Sequence, residues 1–260
     1  MKCEIIAEIG QNHNGDMAIA KELIHAAAEN GADVAKFQLF DAKALFPTKE
    51  QGNEWYDYNC STELSRDDLA LLKEECDKTG IEFMSSAFDA ERVGWLEAVG
   101  VKRYKIASRS IKDAAILEAV IKTRKPIIAS LGLWKGDTLP KIAAHAPVHY
   151  LYCVAKYPTP LIDLHFEDID FVNKYAGFSD HTIGLSAPVA AIARGARIIE
   201  KHFTLDKNMH GPDHQGSMTP AELKELARFR DEIAVCLGDA ASAENSIVMT
   251  GTGKAFVLQS

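Results

Sequence analysis

The amino-acid sequence predicts one (β/α)8 barrel, the TIM-barrel form of the α/β class, in which eight parallel strands alternate with helices. Strand-length apolar runs alternate with segments of helical periodicity about eight times within the 260 residues. Hydrophobic residues make up 47% of the chain and charged residues 25%, which suits a single large α/β domain. No Gly-x-Gly-x-x-Gly motif follows the first predicted strand, which weakens an open dinucleotide-binding sheet as the alternative.

Polar residues mark the starts of the predicted helices in the first half of the chain. Asp16 is the expected N-cap of a helix over residues 17–29, where apolar residues recur at helical spacing. Ser65 opens a second helix over 69–78, and Gly80 ends it. The other predicted elements in this half are strands at 3–9, 33–39, 81–86, 103–108 and 126–131 and helices at 90–99 and 111–123.

Between the second and third predicted strands, residues 41–65 form a long polar segment without regular periodicity. It contains the aromatic residues Trp55, Tyr56 and Tyr58. A loop of this length in a compact domain usually has a function. We therefore predict that it forms a lid over a binding site.

The second half of the chain continues the alternation less regularly. Its expected elements are a weak helix at 138–145, a strand at 148–154, a short helix at 166–174, a packed helix at 185–194 and strands ending at His181 and His202. Thr219, Pro220 and Glu222 have the pattern of a capping box, and the helix that they begin is expected to run to about residue 236. The barrel is therefore expected to span 1–237, followed by a short polar tail over 238–260.

Composition limits the expected partners and compartment. The formal net charge is −8 and no basic stripe occurs, so neither nucleic acid nor a membrane is an expected partner. The five cysteines are scattered without a Cys-x-x-Cys pair, and the N-terminus does not resemble a signal peptide. Every apolar stretch is well short of the ~20 residues that span a bilayer. The sequence therefore predicts a cytoplasmic protein with reduced thiols.

Two histidines end consecutive predicted strands in the second half. The helix between them allows these strands to lie parallel and adjacent, so His181 and His202 can converge at one end of the barrel. Asp180 stands beside the first histidine and Glu200 close to the second. Two imidazoles with open coordination positions suit a divalent metal that also binds a substrate. A hydrogen-bonded structural role is the alternative for either histidine alone.

Lysines and hydroxyl residues recur where the other predicted strands end. Lys36 and Gln38 share one face of the second strand, and a buried lysine needs an anionic partner. Lysine supplies charge and serine donates hydrogen bonds to oxyanions, so this mixture suits a ligand with a phosphate and a carboxylate. The polar set at the strand ends comprises Glu8, Asn12, His13, Lys36, Gln38, Ser85, Ser86, Lys105, Ser108, Ser130, Tyr157, Ser179, Asp180, His181, His202, Asp213 and His214.

Seven short motifs occur between about residues 5 and 226. They are Glu8-Ile-Gly-Gln-Asn-His-Asn-Gly15, Lys36-Phe-Gln38, Tyr104-Lys-Ile-Ala-Ser108, Tyr157-Pro-Thr-Pro160, Ser179-Asp-His-Thr182, His202-Phe-Thr204 and Gly211-Pro-Asp-His214. In sequence and in order they closely resemble the sialic acid synthase family, which makes N-acetylneuraminate and related nonulosonic acids.

The resemblance implies a (β/α)8 catalytic domain that condenses phosphoenolpyruvate with an N-acetylated hexosamine aldehyde and releases phosphate. It also implies a divalent metal, usually manganese, with magnesium or cobalt as alternatives. His181 and His202 resemble the family's metal ligands. Positions that resemble phosphoenolpyruvate contacts are Lys36, Ser86, Lys105, Ser108, Ser130 and Ser179. Further matching active-site positions are Glu8, Gln38, Tyr157 and Asp213, with Asp180 and Arg109 as additional candidate substrate contacts.

The chain departs from the family pattern at three places. After the fourth strand it reads Ala107-Ser-Arg-Ser110, where relatives usually carry a Gly-Ser-Gly motif followed by an acidic residue that contacts the sugar. Ala155 replaces an asparagine that contacts phosphoenolpyruvate in relatives. The predicted barrel is followed only by the short tail, where relatives continue into a small antifreeze-like domain. An arginine at the site rim favours an anionic group, so Arg109 predicts an acidic acceptor sugar.

Two other functions compete with a phosphoenolpyruvate-dependent synthase. The first is an aldolase or lyase that acts on a related keto acid, using a metal or a Schiff base on Lys36 or Lys105. The second is a barrel that binds a sugar or an anion without turnover, which the departures from the family pattern would permit. A homodimer is a further expectation for the assembly.

Overall fold

The computed structural model describes residues 2–45 and 55–239, and in this part of the chain eight parallel strands form a closed barrel. Each strand pairs with the next one in the sequence, and the last pairs with the first. The predicted (β/α)8 fold is therefore confirmed. The strands are β1 Glu4–Gly10, β2 Val34–Leu39, β3 Glu82–Ala87, β4 Tyr104–Ile106, β5 Ile127–Ser130, β6 Val148–Cys153, β7 Gly177–Asp180 and β8 Ile198–His202.

The helices begin at the residues whose side chains can cap them. Asp16 accepts backbone N–H bonds in the first turn of the first helix, as predicted. Ser65 and Thr219 form reciprocal capping boxes with Asp68 and Glu222. The α-helices in the described ranges are α1 Met17–Glu29, α2 Ala42–Leu45, α3 Tyr56–Ser61, α4 Arg66–Thr79, α5 Ala90–Ala98, α6 Ala114–Lys122, α7 Ser186–Ala193 and α8 Pro220–Cys236.

The helix predicted at 138–145, between β5 and β6, is wrong. This segment is irregular: the Ala144 N–H donates to the Ile142 carbonyl at 2.8 Å, which closes a three-residue turn in place of a helical hydrogen bond. The Pro140 carbonyl instead accepts the Tyr150 hydroxyl at 2.5 Å, which ties the connection to β6.

The α-helix predicted at 166–174, between β6 and β7, is also wrong. Only a 3-10 turn forms there, at Phe166–Asp168. The Asp170 carboxylate accepts the backbone N–H groups of Val172 and Asn173, both at 2.9 Å. A side chain that captures nearby N–H groups competes with the helical ladder, and here the local turn prevails.

The barrel interior is filled by an ion-pair network and an apolar layer toward the N-terminal ends of the strands. Arg103 forms ion pairs with Glu4 and Glu82 close to the N-terminal ends of the strands. Above this network, seven buried side chains fill the interior: Ile6, Val34, Met84, Ile128, Leu151, Ala176 and Ile198. These two layers close the barrel at the N-terminal ends of the strands. A binding site inside the barrel can therefore form only at the C-terminal ends, where such barrels carry their polar site residues.

Two predicted segments lie partly outside the described residues. In the predicted lid, α2 and α3 stand on either side of residues 46–54, which fall outside the described ranges. Nearly all of the predicted tail, from residue 240 onward, does so as well. Among the described helices, none has the length and apolar character needed to cross a bilayer.

Candidate active site

A cavity of about 600 Å³ opens at the C-terminal ends of the barrel strands. All fourteen site residues predicted from the sequence line it. They are Glu8, Lys36, Gln38, Ser86, Lys105, Ser108, Arg109, Ser130, Tyr157, Ser179, Asp180, His181, His202 and Asp213. The fold thus brings the whole set together, while the role of each residue stays a prediction.

Glu8 is held by two side chains of the neighbouring strand. It stands opposite Lys36 in the register of β1 and β2, and the Lys36 ammonium donates to its Oε2. Gln38 donates to the other carboxylate oxygen, Oε1, at 2.8 Å. The Glu8 carboxylate therefore has a fixed orientation at the cavity wall.

A second carboxylate, Glu200 on β8, lies between the two lysines. Its Oε1 is 3.2 Å from Lys105 Nζ and its Oε2 is 3.5 Å from Lys36 Nζ. Ser179 donates to Oε1 at 2.9 Å, and Ser130 accepts from Lys105 at 2.8 Å. Glu200 thus holds both lysines in one charged cluster. From the sequence, Glu200 was notable only as a neighbour of His202.

These contacts shift the pKa values of the cluster in different directions. Burial raises the pKa of Glu200, but Lys105 and Lys36 outweigh burial and hold it at about 2. Burial lowers the pKa of Lys36, but Glu200 and Glu8 outweigh burial and raise it. Burial and repulsion by Lys36 keep the pKa of Lys105 below its ordinary value despite attraction by Glu200. The pKa of Lys36 is therefore raised and that of Lys105 is lowered, although both lysines line the same cavity.

The serines of the cavity are not equivalent. Ser86 is 1% exposed, and its Oγ has no hydrogen-bond partner among the described residues. A buried hydroxyl without a partner is costly, so Ser86 is ready to bond to a ligand. Ser108 accepts the Gly132 N–H at 3.0 Å and donates to Cys153 Sγ at 3.6 Å, so its hydroxyl already ties two loops together.

Asp180 also lines the cavity, but both of its carboxylate oxygens already accept hydrogen bonds from the protein. Oδ2 accepts from Lys201 at 2.7 Å and Oδ1 accepts the Thr182 N–H at 2.8 Å. This carboxylate fixes the turn that carries His181. Lys201 was not identified from the sequence, although a lysine within a buried strand signals a nearby anion.

The two histidine rings lie next to each other at the C-terminal ends of β7 and β8, with centroids 5.9 Å apart and ring planes tilted by 40°. His181 Nδ1 lies 3.1 Å from the Val154 carbonyl oxygen, which can only accept, so Nδ1 carries the proton and Nε2 has the free lone pair. Burial and the charge of His202 lower the pKa of His181 to about 3. Tyr157 covers this ring, with a centroid distance of 4.0 Å.

His202 Nδ1 is buried and makes no hydrogen bond within the described residues. The nearest carboxylate oxygen, Asp213 Oδ2, is 3.9 Å away. Across residues 2–45 and 55–239, no three His, Cys, Asp or Glu side chains form a group that could hold a metal ion. The two imidazoles therefore fit a metal site only where substrate or water oxygens supply the remaining ligands.

Tyr58, an aromatic residue of the predicted lid segment, contacts the loops that follow β1 and β8, and the lid itself stays a prediction. The Tyr58 hydroxyl on α3 lies 3.0 Å from the Gln11 carbonyl oxygen and 2.9 Å from Asn14 Oδ1. A Cβ on Gly211, where φ is +145°, would lie 2.6 Å from that hydroxyl. Glycine at 211 thus permits the close approach of the loop after β8. Tyr58 therefore ties α3 to these two loops.

The fold and the cavity define a class of protein: a (β/α)8 barrel with an anion-binding, imidazole-bearing site at the C-terminal ends of its strands. A NeuB family model matches residues 23–242. The chain belongs to the NeuB family, and the resemblance seen in its motifs is confirmed.

Individual relatives agree with this assignment. The N,N'-diacetyllegionaminic acid synthase of Legionella pneumophila is 37% identical over 92% of this chain and 74% of its own length. The N-acetylneuraminate-9-phosphate synthase of Homo sapiens is 35% identical over 87% of this chain and 68% of its own. The crystal structure of N-acetylneuraminic acid synthetase from Leptospira borgpetersenii, in complex with citrate, matches with a TM-score of 0.82 and 30% identity over 95% of this chain and 91% of that one.

Proposed function

We propose that this chain condenses phosphoenolpyruvate with the aldehyde group of a sugar, giving a 2-keto-3-deoxy sugar acid of the nonulosonic type and phosphate. The observation that carries the proposal is the buried cluster of Lys36, Lys105 and the unpartnered Ser86 hydroxyl. Two ammonium groups and a free hydroxyl suit a small ligand that bears both a phosphate and a carboxylate. The names of relatives, which are synthases of sialic, legionaminic and pseudaminic acids, support the same reaction class.

Binding of the donor must change the charge balance of the cluster. Without a ligand, Lys36 is paired with Glu8 and Glu200, and Lys105 with Glu200. An anionic donor adds negative charge to a buried site and needs additional positive charge or protonation to be held there. A divalent cation would supply this charge, and the two imidazoles would hold it.

His181 and His202 are the residues that would bind the metal, with manganese as the expected ion. When bound, it would act as a Lewis acid that polarises the aldehyde oxygen of the sugar. The protein contributes the orientation of the ligands, because the proton on His181 Nδ1 directs the Nε2 lone pair away from the backbone.

The bond changes follow from the donor chemistry. The C3 carbon of phosphoenolpyruvate bonds to the aldehyde carbon, whose oxygen takes up a proton, and C2 becomes cationic. Water adds to C2 and loses one proton, and the tetrahedral intermediate loses the second water proton as it expels phosphate and leaves the keto group. These two protons balance the one that the aldehyde oxygen takes up and the one that leaves with the phosphate. Glu8, oriented by Lys36 and Gln38, would take the proton from water. Tyr157 and Asp213, which lie beside the histidines, would contact the acceptor sugar.

An aldolase with a Schiff-base lysine is the second candidate, and the lowered pKa of Lys105 favours it. A neutral amine is needed to attack a carbonyl, and burial increases the neutral fraction. Treatment with borohydride and a keto acid tests this candidate. A covalent adduct on Lys105 would support the aldolase, and its absence from the incubated protein would count against it.

The proposed function is tested by the release of inorganic phosphate from phosphoenolpyruvate in the presence of manganese and a panel of aldoses. We expect release that depends on one or more of the aldoses and forms one keto acid for each phosphate. A protein that binds phosphoenolpyruvate but releases no phosphate with any aldose would be a binding barrel, and the proposal would be wrong.

A further inference from the structure

Arg109 is a charged residue of the cavity wall that the proposed bond changes do not use. It lies in the 3-10 turn Ser108–Ser110 after β4 and lines the exposed mouth of the cavity. Its Cζ atom is 5.7 Å from the centroid of the Phe88 ring, and the Phe88 ring meets Phe40 edge to face at 6.3 Å. Contact with an aromatic face restrains a planar guanidinium, so Arg109 is supported beside the space that a ligand would enter.

The other cations of the cavity already have anionic partners. Their ion pairs are Lys36 with Glu8, Lys105 with Glu200 and Lys201 with Asp180. Over the described ranges, the Arg109 guanidinium makes no ion pair and no hydrogen bond, and its recorded contact is with Phe88. Its N–H donors are therefore available to a molecule bound at the mouth.

We propose that Arg109 selects an acceptor sugar that carries a phosphate group at the end remote from its aldehyde. The inference rests on the proposed function, which places the aldehyde beside His181 and His202. The remote end of an extended sugar then has the mouth of the cavity within its reach, and Arg109 is the cation there. A guanidinium binds two phosphate oxygens through parallel hydrogen bonds, and the apolar Leu133 and Phe88 also line this cavity wall.

The test compares two ligands that differ only in the phosphate: N-acetylmannosamine 6-phosphate and N-acetylmannosamine. Calorimetric titration of the unmodified protein, with manganese and with or without phosphoenolpyruvate, should give at least about tenfold tighter binding of the phosphorylated sugar. In Arg109→Gln this ratio should fall below about threefold. Lys112→Gln is the matched control, because it removes the charge of an exposed lysine three residues further along the chain, outside the cavity wall.

Two results would overturn the inference. One is equal binding of the two sugars, or no measurable binding of the phosphorylated sugar at millimolar concentration, in the unmodified protein. The other is a ratio that Arg109→Gln leaves unchanged but Lys36→Met abolishes, since the sugar phosphate would then occupy the lysine cluster. Equal unfolding temperatures of the variants would show that the comparison is between folded proteins.

Phosphate release separates this inference from the proposed function. If the phosphorylated sugar binds through Arg109 but no phosphate leaves phosphoenolpyruvate, the anion subsite stands and the synthase proposal fails. If phosphate is released equally with both sugars and their affinities are equal, the synthase proposal stands and the role of Arg109 is wrong.

Discussion

Lys201 Nζ lies 2.7 Å from Asp180 Oδ2, and these side chains are only 1% and 0% exposed. The two residues stand opposite each other in the register of β7 and β8. Asp180 also accepts the Thr182 N–H, and Lys201 donates to the Thr182 carbonyl. The backbone on both sides of His181 is thereby fixed, so this buried ion pair positions the imidazole.

Removing one member of the pair should destabilise the protein strongly. Lys201→Met leaves the Asp180 carboxylate buried without a counter-charge, which costs about 3–5 kcal/mol of unfolding free energy. The double variant Lys201→Met/Asp180→Asn should recover much of this loss because no buried charge remains. Urea denaturation measures both effects.

Lys122→Met is the control for the Lys201 prediction. It removes a lysine whose ion pair with Glu118 is exposed, at 71% and 69% for the two side chains, so it should cost less than about 1 kcal/mol. If Lys201→Met proved as stable as Lys122→Met, the buried pair would not stabilise the protein as predicted.

His13 should make the folded state sensitive to acid. Burial lowers the pKa of His13 to about 4, and its Nδ1 accepts the Gly15 N–H at 3.1 Å. The unfolded chain therefore takes up this proton first, near pH 6.5, so stability from His13 is present above pH 6.5 and is lost as the pH falls toward 4. The loss is on the order of 3 kcal/mol at most.

The His13 prediction is checked by urea unfolding at pH 7, 5.5 and 4.5. In His13→Gln the unfolding free energy should fall less over this range, because an amide oxygen can accept the Gly15 N–H without taking up a proton. Identical declines in the two proteins would show that His13 does not contribute.

The order of the strands and the residues that line the cavity could be predicted, because both follow from where apolar runs end in the sequence. Polar residues such as Lys36, Ser86 and Ser130 follow apolar runs, and a parallel barrel brings all strand ends to one face. The central place of Glu200 was not predictable in the same way. Its partners Lys36 and Lys105 come from strands distant in sequence, and only the three-dimensional packing shows which carboxylate they share.

Two helices predicted from hydrophobic periodicity, at 138–145 and 166–174, do not form. Within 138–145 the Ala144 N–H bonds to the Ile142 carbonyl, and within 166–174 the Asp170 side chain captures two backbone N–H groups. Both segments still connect neighbouring strands of the barrel without an α-helix. Short-range hydrogen bonds therefore outweighed the apolar periodicity that predicted the two helices.

Loss of the Lys36 charge should weaken donor binding and should also lower the unfolding free energy, because Lys36 is buried against the carboxylates of Glu8 and Glu200. Lys36→Met keeps a long apolar side chain but removes one ammonium from the cluster, so phosphoenolpyruvate should bind about ten- to a hundredfold less tightly. Lys112→Met serves as the control because this lysine is exposed and absent from the cavity wall. Calorimetric titration with phosphoenolpyruvate gives both affinities. An unchanged affinity in Lys36→Met would place the donor elsewhere in the cavity.

Removal of one imidazole tests the metal site directly. His202 ends β8 with a buried Nδ1 that has no hydrogen-bond partner in the described part of the chain, so His202→Ala breaks no hydrogen bond recorded for that ring. We expect the unfolding temperature of the metal-free protein to change little, whereas manganese binding measured by calorimetry should fall at least about a hundredfold. His25→Ala, which removes an exposed imidazole on α1, should bind manganese as the unmodified protein does. Retention of normal manganese affinity in His202→Ala would exclude this imidazole as a ligand, because a two-imidazole site cannot lose half of its protein donors without a large loss of affinity.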